Sequence, residues 1–592
     1  MPPPPPIMPL GEVKPGMKGV VYTVFQGGKI ESFHVEVTGI LDNFLGPKKH
    51  VILCRMPDPK TWNSGGTAGM SGSPLLIDGK LVGALSYGLQ VFETERFAGF
   101  TPIEDMLAIN EYDRSVPSKT ARIPVQWPQA GRHYDFSGLR PIATPLVVSG
   151  VSPQVFNLFA PYFQSLGFEP LQAAGGSDTE KTIDAPFLPG AAVAGVLASG
   201  DVGMAGTGTL TWREGNRVLG FGHPFFSGGA MEMPMAQAEI VTILPSLYRS
   251  FKVANTRQII GTITQDRLSA ISGEVGKITP MIPVKITLNH PASGSRVVRA
   301  QVMQHTQLTP AIMTMVLAKT LMGSPDLSNE FTTRVTGRAK IKGHPDLVFD
   351  DIYSASNTGG LMLLLMETAS KLTSVYANPF EIPRIESLEL TLNMSEKRST
   401  LSLDDLVVDQ TRVKPGDTVN LRYWTRSFRG DRSPHTLKVR IPEEIKSGSL
   451  RLQIADARTV NNGGPGGGLL ALLMAGGQEE ARLPELMSRT LSQPRVPLFS
   501  RGERPKSVTQ IVTLLNREVP QNAFYARLLQ RTPGVVIEDK VSENVPASLL
   551  SVMGDSRHLD DSTPLADAEI FRETIEMPGV AVGSKTITLE IE

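Results

Sequence analysis

The chain has 592 residues, which is too long for a single hydrophobic core, so about three or four domains are expected. Lysine plus arginine and aspartate plus glutamate balance at 58 each, which disfavours nucleic acid and anionic lipid as partners because no net field attracts them. The 56 glycines and 46 prolines are typical of many short strands joined by tight turns. The single cysteine, Cys54, excludes an internal disulfide, and its apolar neighbours predict a buried, unreactive thiol.

Cofactors and membrane spans are not expected. No group of potential ligands has metal-site spacing, so the sequence predicts neither a metal nor a cofactor. The longest apolar stretches, Gly359–Met366 and Leu469–Ala475, are too short to cross a bilayer, which predicts a chain without a transmembrane segment. The start, from Met1 to Pro6, lacks the basic and apolar regions of a signal peptide, so a leader is expected to be missing from this chain.

Strand-like alternation of apolar and polar residues dominates the chain and returns after two interruptions. These shifts divide the sequence into six predicted regions. They are 1–115 (a first β half), 116–190 (a linker with a small α/β insertion), 191–345 (a second β half), 346–382 (a helical connector), 383–460 (a β-sandwich) and 461–592 (a glycine-rich linker and an α/β region).

Helical spacing is confined to a few segments. In the insertion, a strand at Pro145–Val148, a helix at Ser152–Leu166 and a strand at Pro170–Ala173 are predicted. Two more helices are expected near Thr309–Leu321 and Thr358–Val375. Their methionine and leucine stripes favour core packing over a cofactor pocket.

The most informative segment runs from Gly69 to Gly88. A serine hydroxyl attacks a carbonyl only when it projects from a tight turn, and glycines on both sides of Ser71 permit such a turn. The same turn can direct the backbone N–H groups of Gly69 and Ser71 at one point, forming an oxyanion hole. An ordinary glycine-rich hairpin is the alternative, but Ser-Gly-x-Pro in front of the hairpin that Asp78-Gly79 closes favours a catalytic serine.

Nine histidines compete for the role of the base. His223 stands apart because it ends the second strand of a hairpin, between Gly222 and Pro224, and strand ends can reach a cleft. His344 repeats the Gly-His-Pro tripeptide without that hairpin and is interpreted as a turn residue. The remaining histidines have no catalytic-looking setting: His34 (on the polar face of a strand), His50, His133, His290, His305, His435 and His558.

Two of these segments resemble known peptidases. Residues 69–88 are similar to the active-serine hairpin of chymotrypsin-like peptidases, with Met70 where trypsin-like enzymes carry an aspartate. Residues 208–223, a Gly-Thr-Leu-Thr strand with a short hairpin and a Gly-His, resemble the element that supplies the base in SpoIVB peptidases of spore-forming bacteria. The similarity to SpoIVB-type serine peptidases covers 11–110 and about 190–285.

With the β-sandwich and the C-terminal α/β tail predicted from the patterns, the expected fold is mainly β with α/β additions, and the resemblance implies a chymotrypsin-like double β-barrel as its core. It implies Ser71 as nucleophile and His223 as base. Asp58 matches an Asp-Pro that precedes the serine motif in the family and is implied to orient the base. Asp201 and Asp266 are alternatives for that role.

The resemblance further implies that a substrate lies along Ser86, Tyr87 and Gly88. In the family the histidine half precedes the serine half, whereas Ser71 comes first here. A circular permutation, with residues 116–190 bridging the halves, accounts for this order, and triads are defined by geometry rather than by chain order.

The expected activity is cleavage of a protein or peptide substrate outside the cytoplasm, in the periplasm or after secretion. The C-terminal region could engage a protein partner. Two other functions stay open. One is a peptidase fold that binds peptides or envelope partners without cleaving them, and the other is a structural envelope protein in which the serine hairpin only packs.

Overall fold

The computed structural model describes residues 3–61, 67–89, 95–112, 139–142, 144–172, 179, 181–245, 250–323, 330–356, 359–445, 448–461, 483–492, 505–530, 534–537, 540–543, 563–564 and 567–592. The chain forms two compact units. The first unit comprises Met1–Lys285, Val298–Gly323 and Pro484–Ser492, and the second comprises Ile286–Val297, Ser324–Leu483 and Gln493–Glu592.

The first unit begins with a closed barrel of six antiparallel strands. The strands are β1 (Lys18–Val24), β2 (Ile30–Gly46), β3 (Lys49–Arg55), β4 (Pro74–Ile77), β5 (Lys80–Leu89) and β6 (Phe97–Pro102). They pair in the cyclic order β1–β2–β3–β6–β5–β4, and the pairing of β4 with β1 completes the ring. Alternate residues of β1, such as Val21 and Thr23, are buried inside, as a period of two requires. This ring is called the serine barrel below.

A second closed barrel of six antiparallel strands follows in the same unit. Its strands are β10 (Ala192–Gly200), β11 (Gly203–Glu214), β12 (Arg217–Gly220), β13 (Gly229–Leu244), β14 (Phe251–Arg267) and β15 (Ala270–Val275). The cyclic order is β10–β13–β14–β15–β12–β11, closed by β11 pairing with β10. Gly195 makes room for Met233, because a Cβ at Gly195 would lie 2.8 Å from the Met233 side chain. This ring is called the histidine barrel.

Short elements join and extend the two barrels. They are α1 (Ile103–Leu107), β7 (Leu139–Pro141), β8 (Pro145–Ser149), α2 (Pro153–Ser165), β9 (Glu169–Gln172) and α3 (Leu308–Met322). Strands β8 and β9 pair in parallel across α2, and β8 also pairs with β11 of the histidine barrel. Ser152 caps α2, since its hydroxyl accepts the Val155 N–H. Helix α3 is buried on nearly all sides, as its apolar composition predicts.

The second unit is built from a three-stranded antiparallel sheet, a helix and a β-sandwich. Two facing sheets of the sandwich share one hydrophobic cluster, and their strands come both from 400–456 and from 523–591. The elements are β18 (Glu330–Ile341), β19 (Leu347–Ser356), α4 (Gly359–Tyr376), β20 (Ile385–Ser395), β21 (Thr400–Val408), β22 (Arg412–Val413), β23 (Thr418–Ser427), β24 (Arg432–Arg440), β25 (Gly448–Asp456), α5 (Ala457–Asn461), α7 (Val508–Leu515), β26 (Ala523–Gln530), β27 (Gly534–Ile537), β28 (Lys540–Glu543), β29 (Thr563–Pro564), β30 (Ala568–Glu576), β31 (Val580–Val582) and β32 (Ser584–Ile591). The residues of β16 (Ile282–His290), β17 (Gly294–Val302) and α6 (Leu483–Ser492) are divided between the two units.

The predicted fold class is confirmed, because the chain is mostly β and its core contains closed antiparallel barrels. The helices of the insertion and at 309–321 and 358–375 are also confirmed within one or two residues. The second strand of the hairpin predicted before His223 ends at Gly220 and not at the histidine, because Phe221 and Gly222 turn the chain with positive φ values. Cys54 lies in the core of the serine barrel, where burial raises the pKa of its thiol.

The six regional boundaries stay predictions. The linker residues 116–138 and the glycine-rich run from Asn462 onward lie outside the described residues. None of the helices in the described part of the chain is long and apolar enough to span a bilayer.

Candidate active site

Ser71 lies in a tight turn between the segment that follows β3 and strand β4. The Met70 N–H donates to the Thr67 carbonyl at 2.9 Å, and the Gly72 N–H donates to the Leu85 carbonyl at 2.8 Å. Ser73 closes the turn from behind, with both its N–H and its hydroxyl donating to the Met70 carbonyl. The nucleophile loop is therefore held by hydrogen bonds within its own barrel.

The N–H groups proposed for the oxyanion hole differ from those of their neighbours in their hydrogen bonding. Among the described residues, no hydrogen bond uses the N–H of Gly69 or of Ser71, whereas the N–H groups of Met70, Gly72 and Ser73 are all engaged. Gly69 has a φ of 92°, a left-handed conformation that glycine adopts without strain. These two amides are thus available to an oxygen of a ligand.

Strand β11 of the histidine barrel docks on the nucleophile loop. The Thr209 N–H donates to the Ser71 carbonyl at 2.7 Å, and the Thr209 hydroxyl donates to the Gly69 carbonyl at 3.2 Å. Two residues further along the same face, the Thr211 hydroxyl donates to the Gly72 carbonyl at 2.7 Å. Three carbonyls around Ser71 are therefore satisfied by the other barrel.

Gly72 is the point of closest approach between the barrels. A Cβ at this position would lie 2.0 Å from the Thr209 carbonyl oxygen and 2.4 Å from the Phe221 backbone nitrogen, and its φ of 95° also favours glycine. Phe221 precedes His223 by two residues. The residue after the nucleophile and the turn that carries the histidine are therefore in backbone contact.

His223 follows a turn in which Phe221 has a φ of 69° and Gly222 a φ of 68°. A positive φ at a phenylalanine costs on the order of 1–3 kcal/mol and persists only when the surroundings fix it. Here the surroundings include the serine barrel, since the Thr101 hydroxyl donates to the Gly222 carbonyl at 2.6 Å. The turn that positions His223 is therefore clamped to the barrel that carries Ser71.

The His223 imidazole is 2% exposed and has two different ring nitrogens. Nδ1 lies 2.7 Å from the Pro224 carbonyl oxygen, which can only accept, so Nδ1 carries the proton. Nε2 is then left with a lone pair and is buried without a hydrogen-bond partner, and the same is true of the Ser71 hydroxyl. Burial lowers the pKa of His223 to about 4, although the backbones of Pro224 and Ile142 raise it in part. The ring is therefore neutral at pH 7.

Asp266 supports the loop that follows His223. Its buried carboxylate accepts the N–H groups of Phe225, Phe226 and Gly228 at 2.6, 2.8 and 3.0 Å. Burial raises the pKa of Asp266, and these backbone hydrogen bonds offset part of that shift. The Asp266 carboxylate therefore fixes the backbone next to Pro224, whose carbonyl contacts the His223 imidazole.

The other two carboxylates predicted from the sequence lie elsewhere. One oxygen of Asp58 accepts the His34 N–H at 2.9 Å and faces its ring, and the other accepts the Lys60 N–H at 3.0 Å. Burial of Asp58 works against these hydrogen bonds, yet they lower its pKa overall. Asp201 accepts the Arg299 N–H at 2.7 Å in a turn. Among the described residues, the hydrogen bonds of neither carboxylate reach His223.

The predicted substrate strand, Ser86 to Gly88, belongs to β5 and is buried. The Ser86 hydroxyl donates to the Ala84 carbonyl at 2.7 Å, and its own carbonyl accepts the Ile142 N–H at 2.7 Å. Ser86 is also next to the histidine turn, because a Cβ on Gly222 would lie 2.2 Å from the Ser86 hydroxyl. The structure thus brings the predicted substrate strand to His223.

Sequence reasoning missed Lys252, which is fully buried beside the nucleophile loop. Its N–H donates to the Ala68 carbonyl, its carbon chain packs where a Cβ of Gly69 would sit, and its Nζ donates to the Thr23 hydroxyl at 2.8 Å. Burial lowers its pKa to about 7. A lysine in an alternating strand pattern gives no signal of such burial. The docking role of Thr209 does leave a signal in the sequence, because threonines alternate in the Gly-Thr-Leu-Thr strand.

Comparison with known proteins gives one match. Residues 4–107 match the family model described as SpoIVB peptidase S55. The matched segment contains Ser71 and Asp58 and ends before the histidine barrel. No curated protein and no solved structure matches the chain.

Proposed function

We propose that the chain is a serine endopeptidase of the SpoIVB type with Ser71 as nucleophile and His223 as general base, because residues 4–107 match the model of the SpoIVB peptidase S55 family. The observation that carries this proposal is the pair of orphaned atoms, the Ser71 hydroxyl and His223 Nε2. Leaving a buried polar group without a partner costs about 1–3 kcal/mol. Two such groups on loops that contact each other are best explained by a shared task.

In the proposed reaction, His223 Nε2 takes the proton of the Ser71 hydroxyl as the oxygen attacks the carbonyl carbon of a peptide bond. The N–H groups of Gly69 and Ser71 stabilise the resulting oxyanion. His223 then gives the proton to the leaving amine, and the C–N bond breaks to leave an acyl-serine. Water, deprotonated by His223, attacks the ester, and His223 returns that proton to the Ser71 oxygen as the acid leaves and the free serine is restored.

In this proposal the Pro224 carbonyl has the role that the sequence assigned to Asp58. An acceptor at Nδ1 keeps the proton there and leaves Nε2 free as the base, whether that acceptor is a carbonyl or a carboxylate. The 2.7 Å contact between His223 Nδ1 and Pro224 supports the carbonyl. A neutral acceptor stabilises the imidazolium less than a carboxylate does, so a modest turnover is expected.

We place the activity outside the cytoplasm, on the family resemblance and on the β-sandwich of the second unit, which is a common appendage of secreted proteins. A peptidase fold that binds peptides without cleaving them is the alternative. The unpartnered Ser71 hydroxyl and His223 Nε2 favour cleavage over binding alone.

The test is covalent capture by a fluorophosphonate, followed by intact mass and peptide mapping. Wild type is expected to gain one adduct on Ser71, and Ser71→Ala is expected to gain none. Ser73→Ala is the matched control, because Ser73 is a buried serine of the same turn whose hydroxyl is engaged by the Met70 carbonyl. An adduct that survives in Ser71→Ala would contradict the proposal, as would a folded wild type that gains no adduct even after prolonged labelling.

A further inference from the structure

One edge of β5 is only partly covered by barrel strands. Strand β4 pairs with residues 80–84 of β5, so from Ser86 onward this edge is not needed to close the ring. Its free backbone groups are instead taken by β7, with Tyr87 opposite Pro141 and Gly88 opposite Arg140 in antiparallel register. The Ile142 N–H, donating to the Ser86 carbonyl, extends this pairing by one residue.

The segment 139–142 ends beside His223. The backbone of Ile142 lies close enough to the His223 imidazole to interact with it. The Ile142 side chain is buried, Pro141 is exposed, and Leu139 packs against Val51 and Tyr87. The segment therefore lies as an extended peptide along the sheet edge with its first and last side chains, Leu139 and Ile142, buried, and a peptide can add to a sheet edge in this way.

We propose that residues 139–142 occupy the substrate-binding edge of the peptidase in the manner of the acyl side of a substrate, and that they hold the site closed until they leave. This proposal rests on the proposed function. The closed state accounts for a Ser71 that is 0% exposed and for the burial of His223. A polypeptide substrate cannot pair with β5 and reach Ser71 while β7 occupies that edge of β5.

The segment also indicates which substrates fit. A peptide that replaces it must be extended, with an aliphatic side chain in the place of Ile142 beside the cleaved bond and a second one in the place of Leu139. Pro141 pairs with Tyr87 at a position that needs no N–H, so proline is tolerated between them. The substrate class is therefore an unfolded or extended segment with two aliphatic anchors three residues apart.

The first experiment compares rates of fluorophosphonate capture of Ser71 in the intact chain. Ile142→Pro removes the N–H that binds the Ser86 carbonyl and is expected to raise the rate at least about tenfold, because the open fraction rises. Pro141→Ala is the control, since Pro141 is exposed and donates no hydrogen bond; its rate should match wild type. Leu139→Asp, which places a charge against Val51 and Tyr87, should act like Ile142→Pro.

Its outcomes separate the two proposals. Equal labelling of wild type and both release variants, all with native thermal unfolding, would overturn the closed site and leave the peptidase standing. No labelling of Ser71 in any of them would overturn both. The barrel ring does not include β7, so the release variants are expected to keep its fold.

A second experiment measures the binding of a peptide instead of the capture rate of Ser71. The peptide Leu-Arg-Pro-Ile is expected to bind Ile142→Pro at least about tenfold more tightly than it binds wild type, because the edge is free in the variant. Leu-Arg-Pro-Asp, with a charged last residue, should bind the variant at least about tenfold more weakly than Leu-Arg-Pro-Ile. A folded variant that binds both peptides equally, or neither, would overturn the proposal.

Discussion

The two barrels hold their functional residues in different ways. In the serine barrel, the N–H groups of Met70, Gly72 and Ser73 donate to carbonyls within about fifteen positions, and two glycines supply the left-handed conformations of the turn. In the histidine barrel, the loop after His223 depends on Asp266, whose acceptor bonds span up to 41 residues. The first arrangement is local and leaves a sequence motif. The second is non-local, and its contributors are scattered.

Among the variants that leave both Ser71 and His223 in place, the largest effect is expected from Gly72→Ala, which forces a methyl group into the contact between the barrels. The new Cβ would clash with Thr209 and Phe221, so the barrels must separate at the site. Capture of Ser71 by a fluorophosphonate is expected to fall by about a hundredfold, since a misplacement near 1 Å costs that much. Gly79→Ala is the control, because Gly79 also has a positive φ but a Cβ on it would meet nothing within 4 Å. Equal effects of both variants would refute the role of the close approach.

Asp266→Ala tests the non-local support of His223. The change removes the acceptor of three backbone N–H groups, one buried and two partly buried, and the free energy of unfolding should fall by about 3 kcal/mol in denaturant titrations. Asp201→Ala is matched, because Asp201 is exposed and accepts one backbone N–H. Its loss should be about 1 kcal/mol. If the two variants lose equal stability, Asp266 has no special place in the loop.

The pH dependence of the site follows from the burial of His223. The folded pKa of about 4 is below the unfolded value of 6.5, so the unfolded state binds more protons between these values. The stability contribution of the neutral ring is present above pH 6.5 and is lost, by up to about 3 kcal/mol, as the pH falls through about 4. Capture of Ser71 should likewise persist at pH 5. A capture rate that halves near pH 6.5 would show an ordinary, solvated histidine.

The smallest effect is expected from Asp58→Asn. Both oxygens of Asp58 are engaged by the His34 and Lys60 backbones, and an amide oxygen can still accept one of those hydrogen bonds. The rate of Ser71 capture should change less than about threefold. A loss of capture comparable to that of a base variant would instead restore Asp58 as the group that orients His223.

What could be predicted from the sequence tracks this difference between local and distant support. The hairpin after Ser71 and the helix at 153–165 depend on neighbours in sequence, and the sequence predicts both with close boundaries. It indicates Asp266 only as an alternative orienting carboxylate, because the N–H partners of Asp266 follow a turn that the pattern does not place. The pairing of β7 with β5 joins residues about fifty positions apart, and three residues next to a polar linker carry no strand signal.

The proposed active site is made from both barrels, with Ser71 from one and His223 from the other. The measurement that tests it most directly is the rate of fluorophosphonate capture of Ser71 at pH 7 in wild type, His223→Ala and His34→Ala. Ser71 should be captured in wild type and in His34→Ala, because His34 is exposed beside Asp58. Capture should fall by at least about a hundredfold in His223→Ala. Capture of Ser71 that proceeds equally well without His223 would contradict it.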